Sequence, residues 1–429
     1  MKNKILLSFV GLALFMGLTS GKAEATTKRS AKVYNSGANG NLENIAGIKT
    51  GDYVRGSDGR LYLYVKNGDE KNISGSGYVI KSWNGHTYVY GFVTYNDGKN
   101  AANETRMIAQ NTATAESTVL SERIEDRISA AHLEQAPNQP GVFALGNGGM
   151  NAGNQPTKAG VWAMYGYSNI KNTGGVENFK ANLHSGTMGV DYLFNPCFLA
   201  GVAFSYGRIN DGKYSIRNGR YEHDSYTGAI YASLIAHQYV TFDAMIGYGK
   251  VHKKYKEKAT NIVAGVVNVL DNGPDLAGRT QSRRFLGNIF ANGRYSIDKL
   301  NLWLRVGYAH VNDKEDSFTL ADSTNQLASK SVTGGTINIG NLSGRLRAGY
   351  RFHEMVEPYL QGGGNYNVVR TKLSSNKGPS VSDKRFGWMI GGGFRVFPMD
   401  SLTGGVQYTF NRRGKLTVHN ATVDVRYNF

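Results

Sequence analysis

The chain has little of what staples small secreted folds and little of what enzymes need. A single cysteine, Cys197, stands in 429 residues, so no internal disulfide can form and a disulfide-stapled domain is excluded. Only 8 prolines accompany 55 glycines, 26 tyrosines and 18 phenylalanines, a balance that leaves long strands uninterrupted. After Leu18 no apolar run approaches the roughly 20 residues a membrane-crossing helix requires. Any later span must therefore be made of strands. Gly-x-Ser-x-Gly, Gly-Asp-Ser-Leu and His-Glu-x-x-His are all missing, and the 9 scattered histidines make no metal-ligand spacing with Cys197. The sequence thus predicts no enzyme, no cofactor and no metal site; His184, His223 and His353 fall near strand ends, where interfacial polar residues belong.

What is present begins with a secretory signal. Met1-Lys2-Asn3-Lys4 is followed by apolar sequence from Ile5 to Leu18 and by Ala23-Glu24-Ala25, which assigns residues 1–25 to a cleaved signal peptide. The formal charge of +17 admits a nucleic-acid partner, an anionic lipid or lipopolysaccharide surface, or a basic lumen. Export disfavours the nucleic acid and leaves the outer-membrane lipid and the lumen.

From about Gly160 to Phe429, runs of around ten residues alternate apolar with small or polar and are separated by turns, the pattern of a transmembrane barrel. Met188, Val190, Tyr192 and Phe194 share one strand face, while Ser185, Thr187, Gly189 and Asp191 share the other. Leu342, Leu346, Ala348, Tyr350 and Phe352 likewise oppose Ser343, Arg345, Arg347 and Arg351. An arginine facing lipid at the midplane costs about 2–4 kcal/mol, so these arginines are expected to line the lumen, together with Arg284 and Arg305.

Strands are predicted near 160–170, 183–194, 198–208, 222–235, 239–252, 281–297, 300–312, 338–352, 356–369, 386–397, 402–411 and 419–429. The expected fold is all-β: an antiparallel up-and-down barrel of about 12 strands, preceded by a helix and a small β-rich segment. Asn195-Pro196-Cys197, Ala236-His237-Gln238 and Asp298-Lys299 read as tight turns, and every odd-to-even connection as a long external loop, which places both barrel termini in the periplasm. The runs Gly362-Gly363-Gly364 and Gly391-Gly392-Gly393 lie within strands, where they mark bends or close packing and not phosphate loops.

Gly160-Val161-Trp162-Ala163, Gly189-Val190-Asp191-Tyr192, Gly201-Val202-Ala203-Phe204-Ser205-Tyr206, Ala229-Ile230-Tyr231-Ala232-Ser233 and Arg426-Tyr427-Asn428-Phe429 form an ordered series over about the last 270 residues. The series resembles the autotransporter β-domain of type V secretion. The alternating end with Tyr427 and Phe429 on one face also resembles the recognition signal of the barrel assembly machinery. The resemblance implies a bacterial outer-membrane barrel, at residues 160–429, that lets its own N-terminal passenger emerge to the cell surface. Two features depart from the family: the strand near Leu300 lacks proline, and no Asn-Asn pair of the kind some members cleave stands near the barrel entrance.

Residues 113–159 form a linker whose first part, Ala113 to Gln135, reads as a helix: Leu120, Ile124 and Ile128 stack at i, i+4 and i+8, and Pro137 stops the pattern. The resemblance implies a helix inside the pore, where Glu116, Glu122, Glu125 and Asp126 would face the lumen arginines; a solvated periplasmic helix is the alternative. Residues 26–112 are the passenger candidate. Asp58-Gly59 and Asn84-Gly85 precede alternating aromatics, which predicts a small antiparallel sheet with exposed tyrosine rows for an unknown host or surface ligand, or else a ligand-free structural cap. Two functions remain open: a translocator displaying a short, adhesive passenger, and a pore or loop-mediated adhesin whose N-terminal segment stays periplasmic.

Overall fold

The computed structural model describes residues 28–35, 45–66, 73–74, 79–83, 85–90, 94–95, 159–173, 179–214, 218–237, 239–263, 266–353, 355–371, 384–399 and 401–429. Its main body is a closed barrel of twelve strands: β1 (Ala159–Asn172), β2 (Phe179–Asn195), β3 (Phe198–Tyr214), β4 (Gly219–His237), β5 (Val240–Lys258), β6 (Asp275–Ile297), β7 (Leu300–Glu315), β8 (Gly335–Tyr350), β9 (Val356–Arg370), β10 (Phe386–Met399), β11 (Leu402–Arg413) and β12 (Leu416–Asn428). Neighbours pair antiparallel, and β12 returns to β1 with Leu416 opposite Asn172 and Asn428 opposite Gly160. Closure leaves no unpaired edge, the condition for strands in lipid.

Period-two patterning decides which face looks where. Met188, Val190, Tyr192 and Phe194 of β2 are exposed on the outer wall, while Ser185, Thr187 and Asp191 are buried on the inner one. Large apolar side chains repeat outward on every strand, from Val161 of β1 to Tyr427 of β12, and make the lipid-facing belt.

The strands run further toward the long loops than the apolar pattern predicts: β2 begins at Phe179 and β6 at Asp275. Beyond the belt the outward positions become charged, as at Lys180 and Arg279, so the hydrophobic signal stops while the hydrogen-bonded ladder continues. The odd-to-even connections are also not uniformly long. Only four residues, 215–218, separate β3 from β4, and 414–415 form a two-residue turn between β11 and β12 in which Gly414 (φ 59°) takes the left-handed conformation that closes a hairpin tightly; Asn218 (φ 48°), next to β4, is left-handed too. Asp298 (φ 52°) does the same in a turn at the opposite end. The segment 113–135 and the signal peptide lie outside the described residues.

The N-terminal part contains a five-stranded sheet in the order Val33–Asn35, Tyr53–Arg55, Leu61–Val65, His86–Tyr90, Val79–Trp83. Gly59 (φ 76°) and Gly85 (φ 72°) sit in the two turns marked by Asp-Gly and Asn-Gly. Tyr53, Leu61, Leu63, Val65 and Val89 share one apolar core with Phe179, Tyr214, Tyr221, Tyr255, Leu276 and Leu320 at the long-loop end of the barrel. Backbone bonds fix the contact. Lys28–Ser30 adds in parallel to Val266–Val269 of the β5–β6 loop, and Leu61 N–H donates to Gln326 O at 2.8 Å in the β7–β8 loop.

The tyrosine rows are not exposed as the sequence predicts. Tyr62, Tyr64 and Tyr88 are buried, because Ile45 and Ile48 of the preceding turn fold over them. Their hydroxyls are used internally: Tyr62 donates to Asp58 at 2.8 Å, and Tyr64 meets His86 Nδ1 at 2.9 Å.

Candidate functional site

The inner wall divides into zones that differ in charge. At the long-loop end, β5, β6 and β7 bring a buried ion network together. Arg284 places Nη2 at 2.7 Å and Nε at 2.8 Å from Asp313 Oδ2; Lys253 Nζ lies 3.2 Å from Glu315 and 3.7 Å from Asp313. Tyr255 donates to Glu315 at 3.2 Å, and Tyr214 to Glu257 at 3.0 Å. Charges this far from water persist only when matched, and here cations and carboxylates alternate across the wall.

At the first-to-last seam, Trp162 of β1 donates its Nε1–H to Tyr231 at 2.9 Å, and Tyr231 donates to Asp191 of β2 at 3.0 Å. Arg426 of β12 reaches the same carboxylate at 3.8 Å. The aromatic rings lie flat on glycine: a Cβ at Gly189 would stand 2.5 Å from the Trp162 ring, and one at Gly201 would stand 2.5 Å from the Tyr231 ring. Any side chain at either position displaces a ring and opens the network.

From β6 to β10 the turn-side half of the wall is basic, whereas Asp191 of β2 and Asp243 of β5 are buried on the same half elsewhere. Arg294 of β6, Arg305 of β7, Arg345 and Arg347 of β8 and Arg395 of β10 all point inward. Arg305 and Arg345 stand directly opposite one another across adjacent strands, an arrangement that repels unless other groups offset it. Rings carry part of that load: Arg305 lies 3.5 Å over Phe290, Arg347 lies 4.5 Å over Tyr359, and Arg395 lies 5.0 Å over Trp303. Arg347 also donates to Gln361 at 3.3 Å and to Gln407 at 3.4 Å. Glu357, held by Asn301 at 2.8 Å, is the one inward carboxylate on the turn-side half of β6 to β10 among the described residues.

Of the arginines singled out from sequence, Arg305, Arg345 and Arg347 fall together in this basic zone. Arg284 belongs to the matched network instead, and Arg351 lies just past the end of β8, half-buried over Phe397 at 4.9 Å. Arg294, Arg395, Arg426 and Lys253 were missed, although their parity along each strand would have found them. Glu116, Glu122, Glu125 and Asp126 lie outside the described residues. Tyr427 and Phe429 stand on the outer wall with ring centroids 6.1 Å apart.

A family model described as the autotransporter β-domain matches residues 161–409. Among solved structures, the translocator domain of autotransporter NalP from Neisseria meningitidis aligns with a TM-score of 0.56 at 13% identity, covering 77% of this chain and 100% of that one. The β-domain of the Bordetella autotransporter BrkA aligns with a TM-score of 0.49 at 12% identity, covering 63% of this chain and 100% of that one. The transport unit of AIDA-I from Escherichia coli aligns with a TM-score of 0.41 at 12% identity, covering 65% of this chain and 93% of that one. No curated protein sequence matches the chain.

Proposed function

This chain belongs to the autotransporter β-domain family, barrels of the bacterial outer membrane, and from that membership we propose that it carries its own N-terminal segment through the barrel and holds it at the cell surface. One observation carries the reading: the N-terminal sheet and the start of the barrel are at opposite ends. Thr94–Tyr95 lies beside Thr260–Val263 of the β5–β6 loop, whereas Ala159 pairs with Tyr192 beside the tight β2–β3 turn. Residues 96–158 therefore connect the two ends of a wall that at β5, with its 19 residues, is about 48 Å tall, given roughly 3.3 Å per residue and a strand tilt of about 40°.

Two routes join those ends, along the outer wall or through the lumen. The connecting sequence carries Glu104, Arg106, Glu116, Glu122, Arg123, Glu125 and Asp126, which lipid would penalise severely. The lumen offers a polar path with an arginine-rich zone that suits the acidic stretch around Glu116 to Asp126. The exposed strand Val79–Trp83, with Val79, Ile80 and Trp83 open to solvent, is the surface of the displayed sheet available to a host or surface ligand.

An epitope inserted after Lys66 tests the display. Antibody is expected to label intact cells, and added protease to remove the epitope. Labelling only after the outer membrane is permeabilised would overturn the proposal in favour of a pore with a periplasmic N-terminal segment.

A further inference from the structure

On the outer wall, four adjacent strands place Tyr226, Lys250, Arg283 and Lys314 abreast in a single row: Tyr226 pairs with Lys250, Lys250 with Arg283, and Arg283 with Lys314. The next row toward the tight turns is Tyr248 opposite Phe285, part of the apolar belt. The three cations therefore stand at the height where the belt ends, on its long-loop side. Two rows further out, Lys254 stands opposite Arg279.

Cations directly opposite one another on neighbouring strands, with Cβ atoms about 5 Å apart, destabilise a sheet unless an anion lies between them. The protein supplies few. Arg283 has Asp316 at 3.8 Å and Lys254 has Glu222 at 3.1 Å, while Lys250, Arg279 and Lys314 take part in no ion pair among the described residues. The far wall is different. Trp388, Tyr408, Phe410 and His419 occupy the outward positions on the loop side of β10 to β12, with Arg412 the one outward cation on those strands among the described residues.

We propose that the Lys250, Arg283 and Lys314 row, with Arg279 above it, binds the phosphate groups of a phosphorylated glycolipid in the membrane leaflet on the long-loop side. The position selects a lipid over a free anion: the acyl chains of such a lipid lie against Ile246, Tyr248 and Phe285 while its headgroup phosphates meet the cations, so one molecule satisfies both rows. Because the cations that stand at the belt edge in this row are on β5 to β7, the headgroup is held at that part of the barrel; the outward row Lys171, Lys180, Lys213, Arg220 and Lys256 on β1 to β5 lies further from the belt. The identity of that leaflet as the outer one rests on the surface display proposed above, but binding in micelles does not depend on orientation.

The test uses the full mature chain in detergent micelles, titrated with bisphosphorylated lipid A, with its dephosphorylated counterpart and with inorganic phosphate. Lipid A is expected to bind, and the triple variant Lys250→Gln, Arg283→Gln, Lys314→Gln to bind it on the order of a hundredfold more weakly. The charge-conserving triple variant Lys250→Arg, Arg283→Lys, Lys314→Arg should retain binding, and Arg412→Gln on the far wall should leave it unchanged. Heat-dependent gel mobility reports folding of each variant. Equal affinity of the glutamine variant, equal affinity for the dephosphorylated lipid, or full competition by millimolar inorganic phosphate would each overturn the proposal. Failed surface labelling with intact lipid binding would remove only the leaflet assignment.

Discussion

The two ends of the barrel interior are built on opposite electrostatic plans. At the long-loop end, Arg284 and Lys253 are matched to Asp313 and Glu315 with all four side chains buried, and an apolar core shared with the N-terminal sheet lies at the same end. At the turn end, Arg294, Arg305, Arg345, Arg347 and Arg395 crowd one part of the wall, with Glu357 as the local carboxylate. A matched network rigidifies and seals; a stretch of wall with cations in excess is prepared for a guest of the other sign. The contrast separates residues whose loss unfolds the barrel from residues whose loss changes what it holds.

The largest effect should come from the matched end. Asp313→Ala strips the carboxylate at 2.7 Å from Arg284 and takes one of two from Lys253, so unfolding in urea should reveal a loss of about 3–5 kcal/mol. Unchanged stability would mean that water reaches this network and that the contrast between the two ends is false.

A middle-sized effect is expected at the seal. Asp322 accepts bonds from the N–H groups of Thr324, Gln326 and Leu327 at 2.8, 2.8 and 3.1 Å, shaping the loop that offers Gln326 to Leu61 and Arg55 of the N-terminal sheet. Burial raises its carboxyl, but these bonds outweigh burial and hold the group below its ordinary 3.8. The folded state therefore favours the ionised form. That contribution is complete above the unfolded value and disappears as pH falls below it through the folded one. Asp322→Asn should loosen the docked sheet by about 1–2 kcal/mol, read as faster amide exchange at Leu61, and acid below about pH 4 should do the same to the parent protein. Exchange at Leu61 that ignores both changes would detach the seal from this loop.

The smallest effect belongs to the basic end. Arg345→Ala with Arg347→Ala should leave the barrel folded yet reduce the preference for anions severalfold in a channel from which residues 26–135, the docked sheet included, have been removed. Selectivity identical to that of the unsubstituted channel would show that the arginines do not face the conducting path. Unfolding would instead make this end as structural as the other.

Most of the barrel was legible because its signal is local. Alternation at Met188 to Phe194 or at Ser343 to Arg351 can be read strand by strand, and Asp298-Lys299 announces its own turn. What escaped was whatever lacks a hydrophobic contrast. The loop-side extensions of β2 and β6 carry charge outward, and the closed hairpin at Gly414 depends on a single left-handed residue. The arginines were found as a class, but Arg284 could not be separated from Arg345 until Asp313 came into view across the neighbouring strand.

The sequence by itself determined a wall of about twelve strands with apolar residues out and, at the height of the apolar belt, arginines in, since a period of two assigns the faces and the cost of charge in lipid decides which one is the lumen. Only the tertiary structure decided which inward charges neutralise one another, that the tyrosines of the N-terminal sheet are buried, and that the sheet sits on the long-loop end. Those outcomes depend on groups far apart in the chain, such as Leu61 and Gln326 or Asp191 and Arg426, that meet only when closure of the barrel sets their register.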